Sequence, residues 1–484
     1  MDDAKNVGNT YGLPLGSLFI FNLIVGAGSL SIPQAFAETG LLFGTLVLAF
    51  MAAMSFITIT YMVEVMSSAN GILSVEGKGA LHPHEPTRRS LLPAGFSDAT
   101  NAVEASEQTF QITQRTEMGL MARMFFSKNG VRLFYFCIAV YLYGDLAIYA
   151  AAVPKSLGKV ACPQPTNGTA PVNGTWVAPD TWDCFGPFNS DSLYRFFVAI
   201  FFACMLPFAF TNVQKTKYLQ LATSFIRYFS LLSMIIIGLV QVNDSSTPNL
   251  PPASEVLDRY DITAVPAMFG VSIYSFMCHH SLPSLVTPIR NKRRLIPLFV
   301  FDFTVVLAFY LMLCYSASFR YHHSDIKDVY SLNFNDYSIT FFKYFLQLFP
   351  VFTLSTSFPV ITITLRNNLR TLFEREDGQP YAPWIEKAVF PLVAIIPPVL
   401  VALGTDDVSV LVNVTGSYAG LGVQVIIPAS LVYFSRKRIA REFGSLKSHP
   451  HLSPFGSIRW MIFIATWCVV CVTLVTYNLI SSHL

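Results

Sequence analysis

Charge is scarce in this sequence. Of 484 residues, 13% are Asp, Glu, Lys or Arg and 53% are hydrophobic, whereas a soluble domain carries roughly a quarter charged residues. That shortage excludes a water-solvated globular chain and makes lipid the main solvent. A formal charge of only +3 supplies no basic face for nucleic acid. Cysteine is sparse too, and six of the eight (Cys137, Cys204, Cys278, Cys314, Cys468 and Cys471) lie inside apolar stretches. A disulfide-built scaffold is therefore excluded, and the C-V-V-C near the C-terminus reads as packing rather than redox or zinc chemistry. No nucleophile–base pair, phosphate-cradling loop or metal-spaced His/Cys cluster stands out, so the chain is expected not to be an enzyme and to need no cofactor or transition metal. Nor is there a ring of like charges or a repeated filter motif of the kind a channel uses.

Long apolar runs take their place. Stretches near the length needed to cross a bilayer fall at 12–36, 41–67, 131–157, 193–211, 219–242, 263–288, 295–318, 339–365, 387–403, 408–434 and 457–480. The fold class that follows is an all-α multi-pass membrane protein. The N-terminal "MDDAKNVGNT" has neither a basic n-region nor a small-residue cleavage site, so the first segment is expected to stay in the mature protein.

Loop charges set the orientation. With residues 1–11 in the cytosol, the inner loops receive Lys215, Lys217, Arg290, Lys292, Arg293, Arg294, Arg366, Arg370, Arg375, Arg436, Lys437, Arg438, Arg441 and Lys447, while the outer ones hold Arg259, Arg320 and Lys327. That asymmetry follows the positive-inside rule, and an odd number of crossings leaves the C-terminus outside. The outer loop after the third segment carries glycosylation sequons at Asn167 and Asn173, with Asn243 a third candidate. It also holds Cys162 and Cys184, whose natural reading in an oxidising compartment is a bridge. Plasma membrane and endo-lysosomal membrane both fit.

The inner loop 69–129 is the longest. Its first part is polar and rich in Pro, Gly and Ser, and reads as disordered. Its end, "TEMGLMARMFFSK", reads as an amphipathic helix on the inner membrane surface. A cytosolic regulatory partner is one expectation for this loop.

Punctuation, not letters, reveals a repeat. The first segment is interrupted by Gly26, Gly28 and Pro33, and the sixth by "SFMCHHSLPSL" around Ser275, His279, His280 and Pro283. Paired breaks in two halves point to an inverted-repeat transporter with its site at the breaks. A period of five crossings, being odd, puts the pseudo-two-fold in the membrane plane. Unwound backbone frees amides and carbonyls, and the N-terminus of a half-helix carries partial positive charge. Such a place suits a small carboxylate with an amino group. The bland alternative is close packing of a Gly-containing helix.

Other polar residues lie at depth. Asn22 is one turn before Gly26 and needs a helix partner or an ion. In the eighth segment, Ser355, Thr356 and Ser357 precede Pro359; with a freed carbonyl they form a shell for a small hard cation, or else they cap the proline kink. Asp145 in the third segment is read as a structural partner of Arg227 in the fifth, with a proton relay as the alternative.

At these residues the sequence resembles the amino acid/auxin permease family, which includes sodium-coupled neutral amino acid transporters. Asn22-Leu-Ile-Val25-Gly26-Ala27-Gly28 is similar to its N-x-x-V-G-x-G opening, and Phe276-Met-Cys278-His279 to its F-x-C-H-P stretch, with His280 in place of proline. Ser355, Ser357, Pro359 and Arg366 match the eighth-segment motif, and "GSYAGLGVQVIIPA" matches the tenth. The resemblance implies a LeuT-like bundle of two five-helix repeats, 12–242 and 263–434, with an eleventh helix in 457–484. It also implies a substrate site at Gly26, Ala27, Gly28, Ser275, Phe276, Cys278 and His279, and an ion site at Asn22, Val25, Ser355, Thr356 and Ser357. The function expected is Na+- or H+-coupled secondary transport of a small neutral amino acid by alternating access. The alternative is a non-transporting nutrient sensor that binds an amino acid and signals through the 69–129 loop.

Overall fold

The computed structural model of the protein describes residues 10–81, 109–162, 183–185, 187–211, 217–244, 247–375, 379, 381–443 and 449–481. The sequons at Asn167 and Asn173 and the inner-loop stretch 82–108 lie outside these residues.

Every apolar run expected to cross the membrane is helical. α1 (Leu13–Ile24) opens with Pro14 in its first turn, where a missing N–H costs nothing. It stops where Val25 leaves helical geometry at ψ 83°, and α2 (Gly28–Thr39) resumes at 60° to it. α3 (Leu41–Leu81) then runs for 41 residues. After α4 (Met118–Phe125) comes α5 (Lys128–Ala161), capped by the Ser127 hydroxyl accepting from Gly130 N. α6 (Ser190–Ala209) begins in a reciprocal cap between Asn189 and Ser192. α7 (Lys217–Asn243) and the short α8 (Ala253–Asp258) lead to the second broken segment, α9 (Val265–Ser275) and α10 (Leu282–Val286). α11 (Leu295–Arg320), α12 (Thr340–Leu372) and α13 (Phe390–Gly404) follow. α14 (Val408–Thr415) widens through 416–426 into α15 (Ile427–Phe443), and α16 (Ile458–Ser481) ends the described chain. Among the described residues nine helices are long and apolar enough to cross a membrane, and the bent pair α1–α2 makes a tenth.

The 69–129 loop differs from expectation at both ends. α3 does not stop near residue 67 but continues to Leu81. Residues 109–117 dock back on it: Ser67 Oγ donates to Phe110 O at 2.5 Å, and Asn70 Oδ1 accepts from Thr113 N at 3.0 Å and Gln114 N at 2.8 Å. The apolar face of α4 (Met118, Met121, Ala122, Phe125) is buried against α3, α5 and α15 instead of facing lipid. A groove between helices gives that stripe close-packed partners on all sides.

α5 runs through the middle of the bundle, packed by α6, α12, α13 and α14, while α9 is held by α2, α3, α14 and α16. α9 and α14 come so close that a Cβ on Gly416 would sit 2.0 Å from Gly270 O. One face of the bundle carries the Cys162–Cys184 disulfide and the small pair β1 (Asp183–Phe185) and β2 (Phe188–Asn189). On the opposite face, fully buried Glu64 of α3 receives Arg436 of α15 at 2.6 and 2.7 Å and Ser453 N at 2.8 Å. A bidentate, charge-assisted pair of this kind holds its two helices in one register.

Candidate functional site

The first break exposes main chain of both kinds. Gly26 N folds back onto Ile24 O at 2.9 Å, and Ser29 closes onto Gly26 O through both its N (3.3 Å) and its hydroxyl (2.7 Å). The amides of Ala27 and Gly28 have no hydrogen-bond partner among the described residues, and they stand at the start of α2. Free N–H groups at a helix N-terminus are where a carboxylate binds well. Gly28 is required here by proximity: a Cβ would lie 2.8 Å from Ser275 Cα and 2.3 Å from Ser275 Oγ.

The second break therefore meets the first directly. α9 ends at Ser275, the chain turns through Phe276–Ser281, and α10 resumes at Leu282. Tyr310 of α11, fully buried, binds the two breaks together, its hydroxyl reaching Ser275 O at 3.0 Å and Ile24 O at 3.2 Å. Phe276 O accepts from Ser55 Oγ at 3.2 Å and Gln424 Nε2 at 3.4 Å, while Met277 O has no partner among the described residues. Cys278 and His279 are fully buried; His279 Nε2 pairs with Thr58 Oγ1 at 2.9 Å and its Nδ1 is unpartnered. Gln424 Oε1 and Ser272 Oγ are likewise buried without partners. The first break thus has two free amides, the second a free carbonyl, and His279, Gln424 and Ser272 each hold a buried polar atom without a partner.

The remaining residues singled out by sequence divide. Asn22 and Val25 do come together, through Arg227 of α7: its Nη1 donates to Asn22 O at 3.0 Å, to Val25 O at 3.1 Å and, at 3.5 Å, to Asn22 Oδ1. The α12 hydroxyls turn onto their own helix, Thr356 and Ser357 both donating to Thr353 O, at 2.9 and 3.2 Å. Asp145, 6% exposed, accepts from the Tyr274 hydroxyl. The Asp145–Arg227 ion pair favoured from sequence is not formed; Tyr149 senses both charges, and each has found another partner. Asn243 is exposed, its amide donating to Leu239 O. No group of three or more metal-ligating side chains occurs among the described residues.

Sequence reasoning missed a second constellation, on the disulfide face. Asp328, between α11 and α12, takes Lys155 Nζ at 2.8 Å and Val408 N at 2.9 Å, and its carbonyl accepts from Ser31 Oγ at 3.0 Å. Lys155 Nζ also reaches Asp406 O at 2.8 Å. Burial pushes Asp407 above the ordinary carboxylate range, and Asp328 and Asp406 add to the effect; burial likewise pushes the neighbouring Lys327 down. This polar knot ties α2, α5 and α14 over the side of the breaks nearest the disulfide. An aspartate in a polar loop carries no signal in sequence that it is buried.

Known proteins resemble this chain over its whole length. It is 43% identical over 498 residues to Transmembrane protein 104 of Homo sapiens, covering 99% of each chain, and 36% identical to the homolog of Drosophila melanogaster, again covering 99% of each. Among solved structures, MhsT in complex with L-phenylalanine matches with a TM-score of 0.47 at 12% identity, covering 98% of this chain and 99% of that one. The family model described as "Transmembrane amino acid transporter protein" matches residues 12–481. With two broken, touching helices in a multi-pass α-helical bundle, the chain belongs to the transmembrane amino acid transporter family.

Proposed function

We propose that this protein carries a small neutral amino acid across a membrane by alternating access, as a secondary transporter driven by Na+ or H+. The observation that supports it most is the direct contact of the two breaks at Gly28 and Ser275, with the Ala27 and Gly28 amides of the first break and the Met277 carbonyl of the second unpartnered among the described residues. The amides receive the carboxylate at the positive end of α2, and the carbonyl side receives the ammonium. The lone pair acceptors His279 Nδ1 and Gln424 Oε1 are placed to sense what the amino acid carries beyond its backbone. If a proton is the driving ion, Asp145 is its carrier, being buried and hydrogen-bonded to Tyr274, which lies on the helix that leads into the second break. The Asp328 knot then serves as the outer closure, and the sequons and the disulfide share that outer side, with the N-terminus cytosolic.

The test is uptake by the purified full chain in proteoliposomes, screened against the amino acids one at a time. At least one small neutral amino acid accumulates, and Gly28→Val, which drives a branched side chain into Ser275, abolishes accumulation. Absence of both binding and uptake for every amino acid refutes the proposal. Binding without flux moves the protein to the sensor class, working through the 69–129 loop.

A further inference from the structure

We propose that Arg227 is a resident cation standing where a coupling sodium ion would stand, so that the amino acid moves without sodium. This rests on the transport reading above. The oxygens expected to hold the ion are those that receive the guanidinium: Asn22 O, Val25 O and Asn22 Oδ1, all on Nη1. Two of the three are main-chain carbonyls at the C-terminal end of the 12-residue α1. That end carries the negative pole of the helix dipole, which favours a cation.

Three further observations agree. First, no carboxylate forms an ion pair with Arg227 among the described residues; its hydrogen bonds go to Asn22 and Val25. A charge at membrane depth has to be compensated, and here carbonyl dipoles do it, as they would for a metal ion. Second, arginine stays protonated in proteins, so the charge is permanent and the three oxygens are engaged throughout. A second cation about 4 Å away would bind roughly a thousandfold more weakly at the effective dielectric of a protein site. Third, α7, which carries Arg227, packs against both α11 and α12. The guanidinium thus ties the unwound first helix to the fifth segment, the work a bound ion would otherwise do.

The experiment uses the purified full chain and compares sodium chloride with choline chloride at equal ionic strength, by thermal midpoint and by uptake. Wild type shows the same midpoint and the same uptake in both salts. Arg227→Lys, which keeps a charge there, also remains indifferent to sodium. Arg227→Ala leaves the oxygens free; its midpoint falls in choline and recovers in sodium, corresponding to a tenfold or greater gain in the folded population. A wild-type midpoint or uptake that rises in sodium overturns the inference, as does an Arg227→Ala chain that is folded yet blind to sodium. If Arg227→Ala does not fold, the wild-type and Arg227→Lys comparisons still decide. Failure to bind or move any amino acid, with the wild-type midpoint unaffected by sodium, defeats the transport reading and leaves the assignment of Arg227 standing.

Discussion

Tyr310→Phe isolates the bond that joins the two breaks. The ring is fully buried and lies edge-on to Phe276 at 5.3 Å between centroids, and phenylalanine keeps that packing. What disappears is one hydroxyl proton shared by two carbonyls. Ile24 O keeps Gly26 N at 2.9 Å and loses little. Ser275 O has no other partner among the described residues and is left buried and bare. An orphaned buried acceptor costs about 1–3 kcal/mol, so the loss is about 2 kcal/mol, almost all from the Ser275 side. Spread over a chain of this length, that corresponds to a midpoint drop on the order of 2–4 °C. Dye-monitored melting in detergent measures it, with exposed Tyr344→Phe as the control that does not move. Apparent affinity for the transported amino acid shifts too, because the breaks are no longer held at a fixed spacing. A Tyr310→Phe midpoint indistinguishable from wild type would show that the hydroxyl does not join the breaks.

Glu64→Gln leaves Arg436 beside a neutral amide in a buried place and costs about 3 kcal/mol or more; size-exclusion profiles should show loss of the monodisperse peak, and an unchanged profile contradicts the pairing. Cys162→Ser removes a cross-link spanning 22 residues of separation, worth about 3 kcal/mol on the chain-entropy account. Its midpoint should fall to that of reduced wild type, and equal midpoints for reduced and oxidised wild type refute this. His449, 5% exposed and hydrogen-bonded to Ser68 at 3.1 Å, is pushed down to about 3 by burial, with smaller contributions from His451 and Arg436. Its folded value lies below its unfolded one, so its contribution is full above pH 6.5 and fades on acidification towards 3. Between pH 7 and pH 5 the wild type loses about 2 kcal/mol that His449→Gln does not; parallel melting curves for the two across that range rule it out.

Much of this architecture was legible in the sequence, and for definite reasons. Crossing a bilayer demands long apolar runs, so most segments announced themselves by length, while the sixth, broken after Ser275, has no helix among the described residues long enough to span alone. The two discontinuities were visible because Gly26, Gly28 and Pro283 are poor residues for an uninterrupted helix. Partnerships were not legible. Arg227 looked like the complement of Asp145 because charge was the only cue available, and hydrogen bonds to carbonyls leave no mark on side-chain identity. Tyr310 is one tyrosine among 21, distinguished only by which main-chain atoms face it. The stripe on α4 correctly signalled a helix with one greasy side, yet pattern alone does not say whether protein or lipid covers that side. Asp328 sits in a loop, and its burial arises from three distant elements converging.

The contact between Gly28 and Ser275 has a mechanical consequence. Where no methyl group fits, no passenger fits either, so whatever enters must act as a wedge and prise the two bends apart. On the proposed transport reading, binding between the two bends has to separate them, so binding and reshaping become one event.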